Sequence, residues 1–191
     1  YFIKEPATQQ NSGVEENQVV SGAITGDTNN NLWKKNVSNV DFYTLKGIMD
    51  SLFSMLHLQN RIKYAPADDC EYLHPGRSAK VTLLSKNPEV IGYFGEIYPI
   101  LKDKMKINQN VFLFEINIGK LIKAVSSADI KYKELPQFPE VQRDISFAIQ
   151  NDITNEQIIL AIKKSANSKI FKSANLFDIY EGEHIQSGYK S

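Results

Sequence analysis

Between Asp41 and Leu56 the apolar residues Leu45, Ile48, Met49, Leu52, Phe53 and Leu56 recur three and four positions apart. Between Val111 and Ile118 they alternate instead, so that Phe112, Phe114, Ile116 and Ile118 share one face. The first spacing lays an apolar stripe along one side of a helix, the second along one side of a strand. Such a strand buries its phenylalanines against helices or a second layer, so the two patterns predict a mixed α/β (α+β) fold. Asp41 is placed to cap the helix, which is predicted to run to about His57.

Around these two segments the chain reads as short strands and loops. Tyr1 to Ile3 predicts an edge or truncated strand, Pro6 to Gln18 an exposed polar loop, and Val19 to Gly26 a short β-prone run. Asp27 to Asn31 predicts an asparagine-rich turn. Gln59 to Tyr64 predicts a strand and Pro66 to Cys70 a loop. Val81 to Leu84 and Val90 to Phe94 predict two strands across a Lys86-Asn87-Pro88 turn. Pro99 suits the first turn of a short helix, and Leu121 to Ser127 predicts another.

A boundary lies near residue 130, dividing the chain into 1–130 and 131–191. Ser126 to Lys133 is polar and weakly patterned, and Pro136-Gln137-Phe138-Pro139 is stiff and extended. Beyond it, Asp144 to Gln150 predicts a strand with Ile145, Phe147 and Ile149 on one face. Thr154 to Gln157 matches a capping box ahead of the stripe Ile158, Ile159, Ile162 and Ala166. Leu176 to Tyr180 predicts a further strand, Glu181-Gly182-Glu183 a turn, and Tyr189 the start of a hairpin partner. This β-α-β order opens a split βαβ, ferredoxin-like unit. Only its first half falls within these residues, so an exposed sheet edge and an unshielded helix face are expected.

With 191 residues the chain can hold one sizeable core or two small ones. Its 22 basic and 22 acidic side chains cancel, which removes a global positive field toward nucleic acid or membrane while leaving local patches open. Cys70 is the single cysteine, so there is no internal disulfide or multi-cysteine metal site, and a reducing compartment is the simplest setting. No apolar run approaches the roughly 18 residues of a membrane span.

The most reactive-looking cluster is Glu71 to Lys80, EYLHPGRSAK. Nucleophilic catalysis needs a base and an orienting group around a positioned nucleophile, and neither the spacing of His74 and Ser78 nor a GxSxG signature supplies that. The alternative is architectural. Pro75 fixes φ and Gly76 reaches a φ that other residues enter at a cost, predicting a tight turn. Arg77 can fork onto carbonyls or an acidic partner, and His74 can do likewise. His57, His74 and His184 lie far apart, and the consecutive Asp68, Asp69, Cys70 and Glu71 point in different directions, so no metal site is expected. Neither GxGxxG nor GxxxxGK[ST] occurs.

In Gly92 to Pro99, GYFGEIYP, residues Gly92, Gly95, Glu96 and Pro99 fit either a bending strand packed on a neighbour or a subunit interface. In the second unit Lys131, Lys133, Arg143, Lys169, Lys172 and Lys190 are candidates for phosphate contacts, with Tyr180 as an aromatic platform. Arg143 beside Asp144 fits a local ion pair equally well.

Six segments in order resemble the C-terminal part of the bacterial phenylalanyl-tRNA synthetase beta subunit family. Asp41 to Gly47 is similar to its DFxxLKG, Leu73 to Ala79 to LHPGRSA, and Gly92 to Pro99 to G-x-x-GE-x-hP. Phe138-Pro139 with Arg143-Asp144 is similar to FPxxxRD, Phe177 to Gly182 to FDxYxG, and Lys190-Ser191 to KS. Departures from the family pattern are a polar insertion-like loop near Asn11 to Gln18 and the loss of the family's residues after Ser191.

The resemblance implies that residues 1–130 form a class II synthetase catalytic-like domain around an antiparallel sheet. It implies that this domain has lost its active site and serves assembly. Residues 131–191 are then a partial ferredoxin-like anticodon-binding domain. Phenylalanine activation and charging of tRNA(Phe), with ATP and Mg2+, belong to the alpha subunit, and this chain alone binds no cofactor. The implied partners are the alpha subunit, a second beta copy in an α2β2 assembly and tRNA(Phe), in the cytoplasm and away from membranes. The residues alone, without the resemblance, support a non-enzymatic interaction or RNA-binding module.

Overall fold

A computed structural model describes residues 2–4, 14–28, 39–126, 138–167, 170–182 and 185–191. Two compact units divide the chain, Tyr1–Tyr132 and Lys133–Ser191.

The first unit contains, in chain order, β1 (Phe2–Lys4), β2 (Val14–Glu16), β3 (Val19–Thr25), α1 (Phe42–Met55) and β4 (Ile62–Pro66). It continues with β5 (Leu73–Leu83), β6 (Glu89–Ile97), α2 (Pro99–Lys104), β7 (Val111–Asn117) and α3 (Ile118–Ser126). Strands β1 and β2 form an antiparallel pair. The stretch expected to be a loop therefore holds a strand at Val14–Glu16, because β1 supplies backbone partners that a polar composition does not advertise. The remaining strands form one antiparallel sheet in the order β3-β7-β6-β5-β4.

Helix α1 starts where its cap is strongest. The Thr44 amide donates to Asp41 Oδ1 at 2.7 Å, and the Asp41 amide donates to Thr44 Oγ1 at 3.3 Å, closing a capping box. Bonds from the Thr44 hydroxyl and then the Thr44 amide hold the Asp41 carboxyl below the usual carboxylate range. Leu45, Met49 and Phe53, each four residues apart, are buried under the helix. Burial of each such side chain stabilises the fold by about 2 kcal/mol. Ile48, expected on that face, is 46% exposed, because the covered stripe is only as wide as the sheet beneath it.

The sheet meets α1 through Phe94, Phe112, Ile116, Ala79 and Val81, all buried. Register aligns Phe94 with Phe114 and Gly92 with Ile116. Phe42 stacks on Phe94 and Tyr64 meets it edge-on, each at 5.3 Å between ring centroids. Ile118, expected to continue the alternating face, instead opens α3, and its amide donates to the Gln18 carbonyl at 2.9 Å. The strand expected at Gln59–Tyr64 is displaced to Ile62–Pro66, since Arg61 is still held in a turn by the Leu58 carbonyl. Pro66 is accommodated because β4 is an edge strand.

Residues 127–137, which include the expected boundary sequence Pro136-Gln137, lie outside the described residues, as do Asn29 to Asn31 of the expected asparagine-rich turn. The second unit contains β8 (Ile149–Gln150), α4 (Asn155–Ser165) and β9 (Tyr189–Lys190), with β8 and β9 antiparallel. Thr154 and Gln157 form the capping box that opens α4. Tyr180 and Ser191 exchange two backbone hydrogen bonds, at 2.7 and 3.0 Å. The strand expected over Asp144–Gln150 is confined to its last two residues, and Leu176–Tyr180 is tied only at its end. Both shortenings accord with one feature: no described residue of this unit is fully buried, so its apolar faces are covered too little to hold longer ladders. Phe177 is 77% exposed, in line with the expected open edge, whereas the α4 stripe Ile158, Ile159, Ile162 and Ala166 is half-buried rather than bare.

Two substitutions test these supports in denaturation experiments on the chain. Asp41→Ala is expected to cost about 1 kcal/mol. The folded carboxyl has a depressed pKa, so its contribution is present above the unfolded pKa and fades as pH falls through the folded one. The variant should therefore lose less stability than the parent on acidification. Gly92→Ala would press a methyl against the Glu115 carbonyl and Ile116, forcing β6 from β7 at a cost of about 1–3 kcal/mol.

Candidate functional site

Strands β5 and β6 do not run in simple register. Leu73 opposes Ile97 and Ser78 opposes Gly95, so His74, Pro75, Gly76 and Arg77 stand together across from Glu96 alone. The result is a four-residue bulge within a strand rather than the expected tight turn. The positive-φ glycines among the described residues are Gly26, Gly95 and Gly188, so Gly76 does not use the conformation anticipated for it. Instead the Gly76 amide donates to His74 Nδ1 at 3.0 Å.

Close backbone approach makes the bulge possible. A β-carbon on Gly95 would stand 2.6 Å from both the Arg77 carbonyl oxygen and Ser78 Cα, so only glycine fits. Next to it, Glu96 is 4% exposed, and its Oε2 lies 2.8 Å from Nε of Arg77. The direction of approach is not that of a hydrogen bond, and neither this oxygen nor the buried Ser78 Oγ has a hydrogen-bond partner among the described residues. The contact is a close ion pair with its carboxylate inside and its guanidinium half in solvent, Arg77 being 53% exposed.

Of the residues singled out in sequence, His74, Pro75, Gly76, Arg77, Gly95 and Glu96 therefore come together. Gly92 lies further along β6, packed against β7, and Pro99 begins α2 beyond the end of β6. The Tyr98 amide ties that helix start to the Tyr72 carbonyl at 2.9 Å.

A polar cluster beside the bulge has no counterpart in the sequence patterns. Tyr93 and Lys80 are opposite one another on β6 and β5, and Tyr93 opposes Glu115 on β7. Asp69 reaches in from the β4–β5 connection, 3.6 Å from Lys80 Nζ, and accepts from the Tyr93 hydroxyl at 3.3 Å. Its own backbone amide, then the Lys80 charge, holds the Asp69 carboxyl below its usual range despite some desolvation. Burial pushes the Cys70 thiol and the Tyr72 phenol up, so Cys70 is no activated thiolate. Only register brings these residues together, and alternation within one strand carries no trace of it.

A groove of about 270 Å³ lies between α1 and β4, lined by Asp50, Phe53, Ser54, Gln59, Ile62 and Tyr64. Tyr64 donates to Asp50 Oδ1 at 2.8 Å and Lys46 lies 2.7 Å from Oδ2, with its ammonium 5.1 Å from the Tyr64 ring centroid. These groups satisfy one another, the pattern of a structural network. Among the described residues no three His, Cys, Asp or Glu side chains converge as metal ligands, and no helix is long and apolar enough to cross a membrane.

In the second unit, Lys131, Lys133 and Lys169 lie outside the described residues. Arg143 donates to the Gln142 carbonyl at 3.0 Å and makes no ion pair with Asp144 among the described residues. Lys172 pairs with Glu140, and Lys190 donates to the Asn151 carbonyl at 2.8 Å. Tyr180 is 48% exposed.

Two family models match this chain, the phenylalanyl tRNA synthetase beta chain CLM domain over residues 1–118 and the ferredoxin-fold anticodon binding domain over residues 136–191. Among curated proteins, the phenylalanine–tRNA ligase beta subunit of Bacillus subtilis (strain 168) is 34% identical over 176 residues, 92% of this chain and 21% of the relative. The beta subunit of Geobacillus kaustophilus (strain HTA426) is 35% identical over 176 residues, with the same coverage. That of Staphylococcus epidermidis (strain ATCC 12228 / FDA PCI 1200) is 34% identical over 177 residues, 93% of this chain and 21% of the relative. The chain thus spans 21% of the length of these relatives. An antiparallel sheet backed by a helix, followed by a β-α-β unit with the matching family model, leads to one assignment: the chain belongs to the phenylalanine–tRNA ligase beta subunit family, to its C-terminal region with the CLM and anticodon-binding domains.

Proposed function

We propose that this chain is the assembly and tRNA-positioning part of a phenylalanine–tRNA ligase. Residues 1–130 dock on the alpha subunit within an α2β2 assembly, and residues 131–191 approach the anticodon stem of tRNA(Phe). The alpha subunit activates phenylalanine with ATP and Mg2+ and transfers it to tRNA(Phe), in the cytoplasm. The chain's own contribution is positioning, which raises a rate by placing reactants rather than by making bonds.

The observation that carries this reading is the ordered pair of family matches over residues 1–118 and 136–191. The β5–β6 bulge supports it: it places Pro75, Gly76 and Arg77 at the surface beside the half-buried His74, and arginine is a residue type that anchors interfaces. With only the first half of the split βαβ unit within these residues, tRNA binding by this chain alone is expected to be weak, and Lys172 is engaged with Glu140. The RNA-contact candidates remain Lys131, Lys133, Arg143, Lys169, Lys172, Tyr180 and Lys190.

Two measurements test the reading. Phenylalanine-dependent ATP–pyrophosphate exchange by this chain alone should stay at background, and robust exchange would contradict a purely positioning role. In the assembled enzyme, Arg143→Ala and Lys190→Ala should weaken tRNA binding, most at low salt. Each phosphate contact removed should also lower the salt slope by about one. An unchanged affinity and slope in both variants would remove these residues from the interface.

A further inference from the structure

We propose that Arg77 is a receptor for one carboxylate on the alpha subunit, held in position from below by Glu96. The proposal rests on the docking role given above for residues 1–130 and names the chemistry of that contact.

Three observations carry it. Glu96 is buried at 4% exposure, and the cation against it is Nε of Arg77, at 2.8 Å. Burying a carboxylate is costly, and an ion pair with a half-exposed arginine is weak compensation, so stability alone gives no reason to keep it. What the arrangement does achieve is orientation. With Nε against Glu96, the Nη1 and Nη2 groups make no hydrogen bond among the described residues. Those two nitrogens form the planar fork that grips a carboxylate with two parallel hydrogen bonds.

The bulge stiffens the display. Four residues stand opposite Glu96 alone, Pro75 limits φ, and Gly95 presses directly on the Arg77 carbonyl. The Gly76 amide donates to His74 Nδ1, which ties that ring to the backbone of the bulge. A fork fixed in advance loses less conformational freedom on binding.

Charge nearby favours a single carboxylate over RNA phosphates. Asp68, Asp69 and Glu71 are exposed on the connection leading into β5, and Lys80 is already paired with Asp69. A polyanion would meet those acids, whereas one carboxylate on a protein surface needs only the Arg77 fork.

The test uses the full beta chain with its alpha subunit. Arg77→Lys keeps the charge beside Glu96 and loses the fork, Arg77→Ala removes both, and Glu96→Gln leaves the fork without its anchor. For each, the alpha–beta dissociation constant, the melting temperature of the beta chain alone and the tRNA affinity of the assembled enzyme are measured. The proposal expects both Arg77 variants to raise the dissociation constant at least ten-fold, with Glu96→Gln doing so to a smaller extent. The Arg77→Lys beta chain should melt as the parent does. If Arg77→Ala fails to fold, Arg77→Lys decides alone. An unchanged alpha–beta constant for Arg77→Lys overturns the proposal, as does a loss confined to tRNA affinity, which would make Arg77 a phosphate contact. If the unmodified beta chain does not bind the alpha subunit, the docking role itself fails and takes this contact with it.

Discussion

The contact on which the first unit depends is the approach of β6 to its two neighbours at Gly92 and Gly95. At Gly92 a side chain would collide with the backbone of β7, and at Gly95 with the backbone of β5. Between them, Phe94 enters the core with no measurable exposure. Two glycines thus let the sheet close tightly while the phenylalanine between them anchors α1. The same closeness at Gly95 obliges β5 to arch, and the arch is the bulge that carries His74 to Arg77.

Strain and polarity follow from that arch. A simple ladder would give Glu96 one partner, but here it faces four residues, and its Oε2 is enclosed with no hydrogen-bond donor in good alignment among the described residues. Ser78 Oγ is enclosed in the same way. Buried polar atoms without hydrogen bonds oppose stability, and natural folds retain few of them. Their position beneath a displayed arginine accords with the recognition role proposed for it.

The second unit has a different balance. Its elements follow the split βαβ order, and the capping box at Thr154 sets the start of α4 by local bonds alone. Its strands are short because ladders need covered faces, and Phe138, Ile145, Ile170 and Phe177 are all exposed. Capping bonds fix where α4 starts and its half-buried stripe adds packing, whereas a strand needs a paired neighbour and a covered face.

Reading the residues in order was enough to find the elements whose cause is local. Asp41 marked the start of α1, the spacing of Leu45, Met49 and Phe53 its buried side, Pro99 the start of α2, and the alternation of Phe112, Phe114 and Ile116 the path of β7. The motifs from Asp41 to Ser191 also sufficed for the family, since their order survives without any coordinates. Only the tertiary structure decided that Ile48 faces outward, that Ile118 turns into α3, and that LHPGRSA is an arched strand rather than a turn. It also decided that Asp69, Lys80 and Tyr93 meet, and that Arg77 stands over Glu96. Caps and periodicities act through neighbours in the chain, within reach of a few residues. Register and burial arise between strands far apart in sequence, and no single segment records which partner it will meet.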